Sequence, residues 1–336
     1  MRLLLAVLLR ISIILVVASP FGVSLSHVNS TTLHSRCGII RGTADEVRSF
    51  KVLISATEPY LHVLLNWAIY YSKYCPDPMN LYLICLDKKI VESIREYGLS
   101  CAHFHDLPQG KGAYNRLWTL RTSLTYELLT SGFDVLISDL DAIWLKSPFP
   151  EIENHAADSS LIASRAKFPE DVAERIGATI CMGFIYIKSD QNSINLWKQL
   201  SEIVSRSKSA DDQVSINHLV LRSNIQLKDR LKFYKSNHAE QGTILIDRKP
   251  INITFLAQNQ FRRHCDIRSP QVVRESVVAH CSTWQKSDSM KKTAVSTYGM
   301  WILRDDWKER RIQPDQTVAA FLASLVAASN STAPTR

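Results

Sequence analysis

Apolar residues recur along this chain in two alternating rhythms. Short apolar runs of strand length, at residues 50–55, 81–86, 133–138, 161–163, 179–188 and 277–280, are bounded by Gly, Pro, Asp or Ser. Between them lie longer segments with helical spacing. Residues 61–74 put Leu64, Leu65, Ala68, Ile69 and Tyr71 on one broad face. Residues 88–97 stop at Gly98, and residues 116–130 close on Ser131-Gly132. Residues 189–205, 211–221 and 290–298 complete the helical set, with an aspartate, Asp211 or Asp212, placed as a cap of the second. Gly183, inside the run 179–188, marks a point where another group comes close to the backbone. Strands alternating with helices predict an α/β fold, a mostly parallel sheet flanked by helices.

The N-terminus breaks the rhythm. Arg2 precedes a run over residues 3–17 that is apolar apart from Arg10 and Ser12, with Pro20, Gly22 and Ser24 following. Residues 1–26 read as a signal anchor or a cleaved signal peptide. If Arg10 marks the cytoplasmic edge, residues 11–25 form a short span, compatible with a thin bilayer. The alternative is a buried N-terminal core helix. Residues 27–48 are polar and read as a stem, 49–310 as one folded domain, and 311–336 as a C-terminal tail that frays from about Ser324. A lumenal domain on a single-pass type II Golgi membrane protein is expected, or a secreted one if the segment is cleaved. The sequons at Asn29, Asn252 and Asn330 agree with that compartment. So does the cysteine content. The 7 cysteines allow up to three disulfides. Cys75 with Cys101 and Cys265 with Cys281 are the expected pairs, and Cys85, in an apolar strand, is expected to be free.

The formal net charge of +8 is scattered, and Arg262-Arg263 and Lys291-Lys292 are too short for a nucleic-acid footprint. A mildly basic surface suits an anionic substrate. No cysteine and histidine spacing of a zinc site occurs. The most informative chemistry follows the run 133–138. Asp139 and Asp141 flank Leu140, and strand alternation would point both carboxylates one way. Carboxylates at the carboxyl end of a buried strand sit where open α/β sheets bind ligands, and such a pair suits a divalent cation shared with phosphate oxygens. Two other readings of Asp-x-Asp exist. One is a pair of turn-capping aspartates. The other is a haloacid-dehalogenase-type phosphohydrolase with Asp139 as nucleophile, although such enzymes place the motif on their first strand.

Several motifs together resemble the nucleotide-diphospho-sugar transferase domain of glycosyltransferase family 77, within the GT-A (Rossmann-like) fold class. They are Asn66-Trp67-Ala68, residues 83–87 ending in Asp87, residues 132–148 around Asp139 and Asp141, Asp212-Gln213 followed by Asn217, and His280, Lys291 and Gly299-Met300-Trp301 in that order. The resemblance spans about residues 50–307. It implies a Mn²⁺-dependent (or Mg²⁺-dependent) retaining transferase that uses a UDP-sugar donor and a glycan or glycoprotein acceptor. Asp141 and His280 would hold the metal, with Asp139 on the metal or the ribose; an imidazole ligand favours Mn²⁺ over Mg²⁺. Lys291 would neutralise the departing diphosphate, with Lys286 or Lys292 as alternatives. Ala56 and Thr57 would line the base pocket, Arg121 would face the sugar diphosphate, and Asp212 and Gln213 would lie beside the anomeric carbon. Acceptor loops are expected at 167–178 and 237–263. The chain departs from the family at Cys181-Met182-Gly183-Phe184, where Asn-Thr-Gly-Phe is common. That departure leaves the donor sugar open. It also keeps in play a different class of protein, a non-catalytic relative that binds a glycan or a partner.

Overall fold

In the computed structural model the described residues are 39–41, 47–76, 78–107, 113–207, 211–227, 229, 231, 236–263, 269–281 and 287–327. They belong to one compact unit, Ser35–Arg336. The expected signal anchor, most of the stem, the sequons at Asn29 and Asn330, and Cys37 and Cys265 lie outside them. Among the described residues no helix is long and apolar enough to cross a membrane.

The strands are β1 (Ile39–Arg41), β2 (Val47–Ala56), β3 (Leu81–Cys85), β4 (His103–Phe104), β5 (Asp134–Ser138), β6 (Ala142–Trp144), β7 (Leu161–Ala166), β8 (Thr179–Ile187), β9 (Gln226–Leu227), β10 (Glu240–Ile246), β11 (Lys249–Phe255), β12 (Phe261–Arg263) and β13 (Val278–His280). The helices are α1 (Leu61–Ser72), α2 (Lys88–Arg95), α3 (Ala113–Thr130), α4 (Phe149–Ala156), α5 (Glu170–Ile176), α6 (Gln191–Arg206), α7 (Asp212–Arg222), α8 (Pro270–Arg274), α9 (Asp288–Thr297) and α10 (Val318–Ser324). The large sheet runs β4-β3-β2-β5-β8-β7-β11-β10-β9, with β1 paired to β2. Its N-terminal half, β4 to β5, is parallel, as the alternation predicts. Beyond β5 it is mixed: β8 is antiparallel to both neighbours and β11 is parallel to β7. A small sheet, β12-β13-β6, stands beside it.

The strands present alternate residues to two cores. Leu136, Phe184 and Tyr186 face the helices α1, α2, α4, α9 and α10, while Val135, Ile137, Ile185 and Ile187 face α3, α5, α6 and α7. Each fully buried aliphatic side chain contributes about 1.5–3 kcal/mol relative to exposure. Asp134, buried at the start of β5, is held by Arg48 Nη2 at 2.8 Å, by the Ser189 backbone N–H at 2.6 Å and by the Tyr186 hydroxyl. That network lies at the edge opposite the catalytic end and is structural.

Four expectations change. First, Asp139 and Asp141 are not strand residues: β5 ends at Ser138, and a turn closed by the Ala142 N–H on Asp139 O (3.0 Å) leads into β6. The turn, not pleat alternation, brings the carboxylates together. Second, Cys85 is not free. It bonds Cys101, with Cα atoms 5.8 Å apart, because β4 runs parallel beside β3 and carries Cys101 to it; Cys75 and Cys281 are also disulfide-bonded. Third, the expected acceptor loops contain regular structure: α5 lies inside 167–178, and β10, β11 and β12 lie inside 237–263. The β10–β11 turn uses Asp247 and Arg248 at φ 51° and 64°, without the glycine that marks such hairpins in a sequence. Fourth, the tail read from 311 onward carries a helix, α10, and packs on the core before Ser324. Phe321, Leu322 and Leu325 are buried in the core shared with α1, and Ile312 packs at Gly98, whose φ of +73° ends α2.

Candidate active site

The site forms where the β5–β6 turn, β13, α9 and the start of α7 converge. Helix α1 braces the turn from below. Trp67 Nε1 donates to Ala142 O at 3.2 Å, and the Tyr74 hydroxyl donates to Leu145 O at 2.7 Å. The neighbouring Asn66 ties in the C-terminal block: its Nδ2 donates to Met300 O at 3.2 Å, and its Oδ1 accepts from Ile302 N at 2.8 Å. The Asn66-Trp67 motif is therefore a structural clamp on the turn.

β6 pairs antiparallel with β13, so His280 lies opposite Ala142 and reaches back to the turn. Its Nε2 is 3.3 Å from Asp141 Oδ1 and 3.6 Å from Asp139 Oδ2. One ligand atom from each of the three side chains lies within 4.8 Å of the others. Asp141 and His280 are almost wholly buried, at 1% and 3% side-chain exposure, and Asp139 is 35% exposed, which opens the cluster on one side. Asp141 Oδ1 is buried and takes no well-formed hydrogen bond. Two carboxylates, an imidazole and an orphaned buried oxygen fit a divalent cation of intermediate hardness. Gly183 is the floor of the site. A Cβ there would stand 2.2 Å from His280 Cε1 and 2.6 Å from Asp139 Oδ2, so the close approach read from the sequence is by the site itself.

Lys291, on α9, donates to Asp141 Oδ2 at 2.6 Å. Burial alone would raise the Asp141 carboxyl, but Lys291 and His280 outweigh it and hold it far below the usual carboxylate range. Burial opposes a charge on Lys291, and Asp141 with Asp139 overcomes this and raises it. Burial likewise opposes His280, and Asp141 and Cys181 carry it up to about 9. Without a cation, protons on Lys291 and His280 stand in for it.

Arg121, expected from the family pattern to face the sugar diphosphate, stands beside the cluster. It bridges two carboxylates: Nη1 is 3.2 Å from Asp139 Oδ1 and Nη2 is 2.6 Å from Asp212 Oδ2. Helix α3 delivers it from the face opposite α1. Burial pushes Asp212 up to about 6 against the pull of Arg121. Asp211, not Asp212, caps α7, accepting from Gln213 N at 2.8 Å and Val214 N at 3.2 Å. Asp212 is thereby released to face the site, and its Oδ1 is buried without a hydrogen bond. The Gln213 amide is engaged on both sides. Its Nε2 donates to Phe168 O at 2.8 Å, and its Oε1 accepts from Met182 N at 3.2 Å. It positions backbone around the site. Asn217 does the same for β8, bonding Ile180 N and O at 2.7 and 2.9 Å.

Ala56 ends β2 and Thr57 follows it; β2 runs parallel to β5, so both lie at the same end of the sheet as the turn. Just beyond, Tyr60 lies in the field of Lys291, Asp288 and Asp141. Asp87 joins the two strand ends by capping α2 through Ile90 N (2.8 Å) and accepting from Glu58 N (2.8 Å). The predicted residues therefore assemble at one end of the sheet. Sequence reasoning marked Cys181 only as a departure from the family pattern and Arg263 only as half of a short basic pair, and expected neither beside His280: Cys181 Sγ is 3.5 Å from His280 Nδ1, and Arg263 Nη1 donates to the sulfur.

A fold of this kind, with a two-carboxylate and histidine cluster at the strand ends and a lysine beside it, defines a class that handles diphosphates. The chain matches the nucleotide-diphospho-sugar transferase family over residues 79–297 and belongs to it. It is 22% identical over 175 residues to an arabinosyltransferase of Arabidopsis thaliana, a match covering 48% of this chain and 27% of that protein. It is 21% identical over 300 residues to a UDP-galactose:fucoside alpha-3-galactosyltransferase of Dictyostelium discoideum, covering 76% of this chain and 43% of that one. The chain thus spans less than half the length of these two relatives. Among solved structures, the galactosyltransferase LgtC, in complex with donor and acceptor sugar analogues, aligns with a TM-score of 0.41 at 17% identity, over 77% of this chain and 99% of that chain. The glycosyltransferase GlyE of Streptococcus pneumoniae aligns with a TM-score of 0.36 at 16% identity, over 55% and 45% of the two chains.

Proposed function

We propose that this chain is a Mn²⁺-dependent (or Mg²⁺-dependent), retaining glycosyltransferase that moves a sugar from a UDP-sugar to a glycan or glycoprotein acceptor. The observation that carries the proposal is the meeting of Asp139, Asp141 and His280, with Lys291 on the same carboxylate. These three side chains would hold the cation, which neutralises diphosphate charge when bound. Lys291 Nζ is the adjacent protein cation for a phosphate oxygen, where charge develops as the bond to the anomeric carbon breaks. The buried, orphaned Asp212 Oδ1 is an acceptor for the donor sugar or a carboxylate beside its anomeric carbon, held in orientation by Arg121. Gln213 serves by fixing the Phe168 and Met182 backbones. In the transfer, the anomeric carbon's bond to the UDP oxygen breaks, a bond to the acceptor hydroxyl oxygen forms, and that hydroxyl's proton is lost. Ala56 and Thr57, at the same end of the sheet as the turn, suit the nucleotide base.

Family membership and the strand order favour neither the phosphohydrolase reading nor the non-catalytic one. We place the domain in the secretory lumen, single-pass type II in the Golgi membrane through residues 1–26 or secreted if they are cleaved; the Cys85–Cys101 bond and the bonded Cys75 and Cys281 support an oxidising compartment.

Calorimetric titration of the purified protein with UDP, with and without Mn²⁺, followed by a UDP-sugar hydrolysis panel, tests the function. Metal-dependent UDP binding and turnover of one donor are expected. Failure to bind UDP in the presence of Mn²⁺ would sink the proposal. The anomeric configuration of the product, read by NMR, tests retention, and protease protection in microsomes tests the lumenal placement.

A further inference from the structure

His280 has two polar edges, and the proposed reaction uses only one. Nε2 faces Asp141 and Asp139. Nδ1 faces Cys181, whose Sγ is 3.5 Å away. Cys181 is the free cysteine among the described residues; it is fully buried on β8, two residues before the glycine that forms the site's floor. The sulfur has a second neighbour. Arg263, at the end of β12, donates to it from Nη1, and the same nitrogen lies 3.4 Å from Gln213 Oε1. β12 pairs in parallel with β13, with Arg263 opposite His280, so one small sheet delivers both donors to one sulfur.

A histidine that ligates through one nitrogen needs a partner on the other, because that partner selects the tautomer and stops rotation of the ring. Carboxylates and backbone carbonyls usually fill this role. Here both carboxylates lie on the ligating side, and the atom at Nδ1 is sulfur. A neutral thiol is a weak acceptor. Arg263 donates to the same sulfur, which fixes the Cys181 side chain in place and leaves a second lone pair for Nδ1–H.

We propose that Cys181 is the positioning residue of His280: it accepts from Nδ1–H, keeps Nε2 directed at Asp139 and Asp141, and is itself held by Arg263. The link through Gln213 then ties the metal-ligating imidazole to the backbone around Phe168 and the start of α7. This inference rests on the cation site proposed above.

The test uses the full chain with Cys181→Ala, Cys181→Ser and Arg263→Met. Mn²⁺ affinity is measured by calorimetry. The imidazole nitrogen signals of the metal-free protein are measured by long-range ¹H–¹⁵N correlation above about pH 9, where the ring is neutral and has a tautomer, with His280→Gln identifying the His280 signal. Cys181→Ala is expected to weaken Mn²⁺ binding about 10- to 100-fold, the usual effect of removing a partner behind a ligand. Arg263→Met should do so by a smaller factor. Cys181→Ser keeps an acceptor and should recover most of the affinity, and in Cys181→Ala the His280 nitrogens should lose their fixed-tautomer signature. Wild-type affinity in Cys181→Ala, or an equal loss in Cys181→Ser, overturns the inference. If the unmodified protein binds no Mn²⁺, the cation reading has failed instead, and the nitrogen signals of the metal-free variants still decide whether Cys181 orients the ring.

Discussion

Gly183→Ala tests the site at its floor. The backbone there is outside the left-handed region, so alanine meets no conformational penalty and the whole effect is collision. The added methyl would stand 2.2 Å from His280 Cε1, 2.8 Å from His280 Nδ1 and 2.6 Å from Asp139 Oδ2, whereas ordinary contact begins near 3.4 Å. The ring must retreat by more than an ångström. β8 is tied at this point on its β5 side, where the Asp139 N–H donates to Gly183 O at 2.8 Å. Ligand positions tolerate only about 0.2 Å around a bound ion, so a displacement of this size removes His280 from the ligand set. A loss of at least about 100-fold in Mn²⁺ affinity is expected, equivalent to about 2.8 kcal/mol. Overpacking should also cost about 1–3 kcal/mol of stability in the metal-free protein. Calorimetric Mn²⁺ titration and thermal unfolding in chelator measure the two effects separately. A variant that binds Mn²⁺ as tightly as the unmodified chain, with its unfolding temperature unchanged, would refute the placement of His280 and Asp139 over Gly183.

Asp141→Ala should abolish UDP-sugar turnover and leave Lys291 and His280 without their shared counter-charge; undiminished turnover removes Asp141 from the site. His280 sits at about 9 in the metal-free state because of Asp141 and Cys181. A cation must therefore displace its proton at any lower pH, and affinity should fall about tenfold for each unit as the pH drops from 9 towards 7; a flat profile in titrations at several pH values would show that the imidazole does not ligate. Asp212 is held up to about 6, so a reaction that needs its carboxylate should lose rate as the pH falls through 6. Arg121→Met, which removes the partner that pulls this carboxyl down, should move that limb to higher pH in a kcat profile, and an unshifted limb would separate Arg121 from Asp212. Asp134→Asn should destabilise the fold by about 3–5 kcal/mol through the buried Arg48 charge, measured by urea unfolding, while metal affinity stays unchanged.

Much of this molecule was legible along the chain because its causes are local. Pleat and helix periods depend on residues two to four apart, so the runs at 50–55, 81–86, 133–138 and 179–188 and the helices after them were readable before any contact was known. An aspartate cap for α7 was readable because it involves only the three residues after it, and the structure assigns it to Asp211. Asp139 and Asp141 stood out after their apolar run as carboxylates suited to a cation, and His280 and Lys291 were reached through the family resemblance. The sequence by itself determined the order of elements, the α/β class and the chemistry available. Tertiary structure decided the rest, since it depends on pairs that no local pattern links. Lys291 meets Asp141 across 150 positions, and Cys181 meets His280 across 99. Burial made Asp141 the enclosed carboxylate and left Asp139 the open one. Strand pairing gave Cys85 its partner, while the packing of helices set Arg121 between two carboxylates and brought residues beyond 310 back onto the core. A single chain does not display these choices because each is set by the free energy of packing distant segments together, to which periodicity within any one segment is blind.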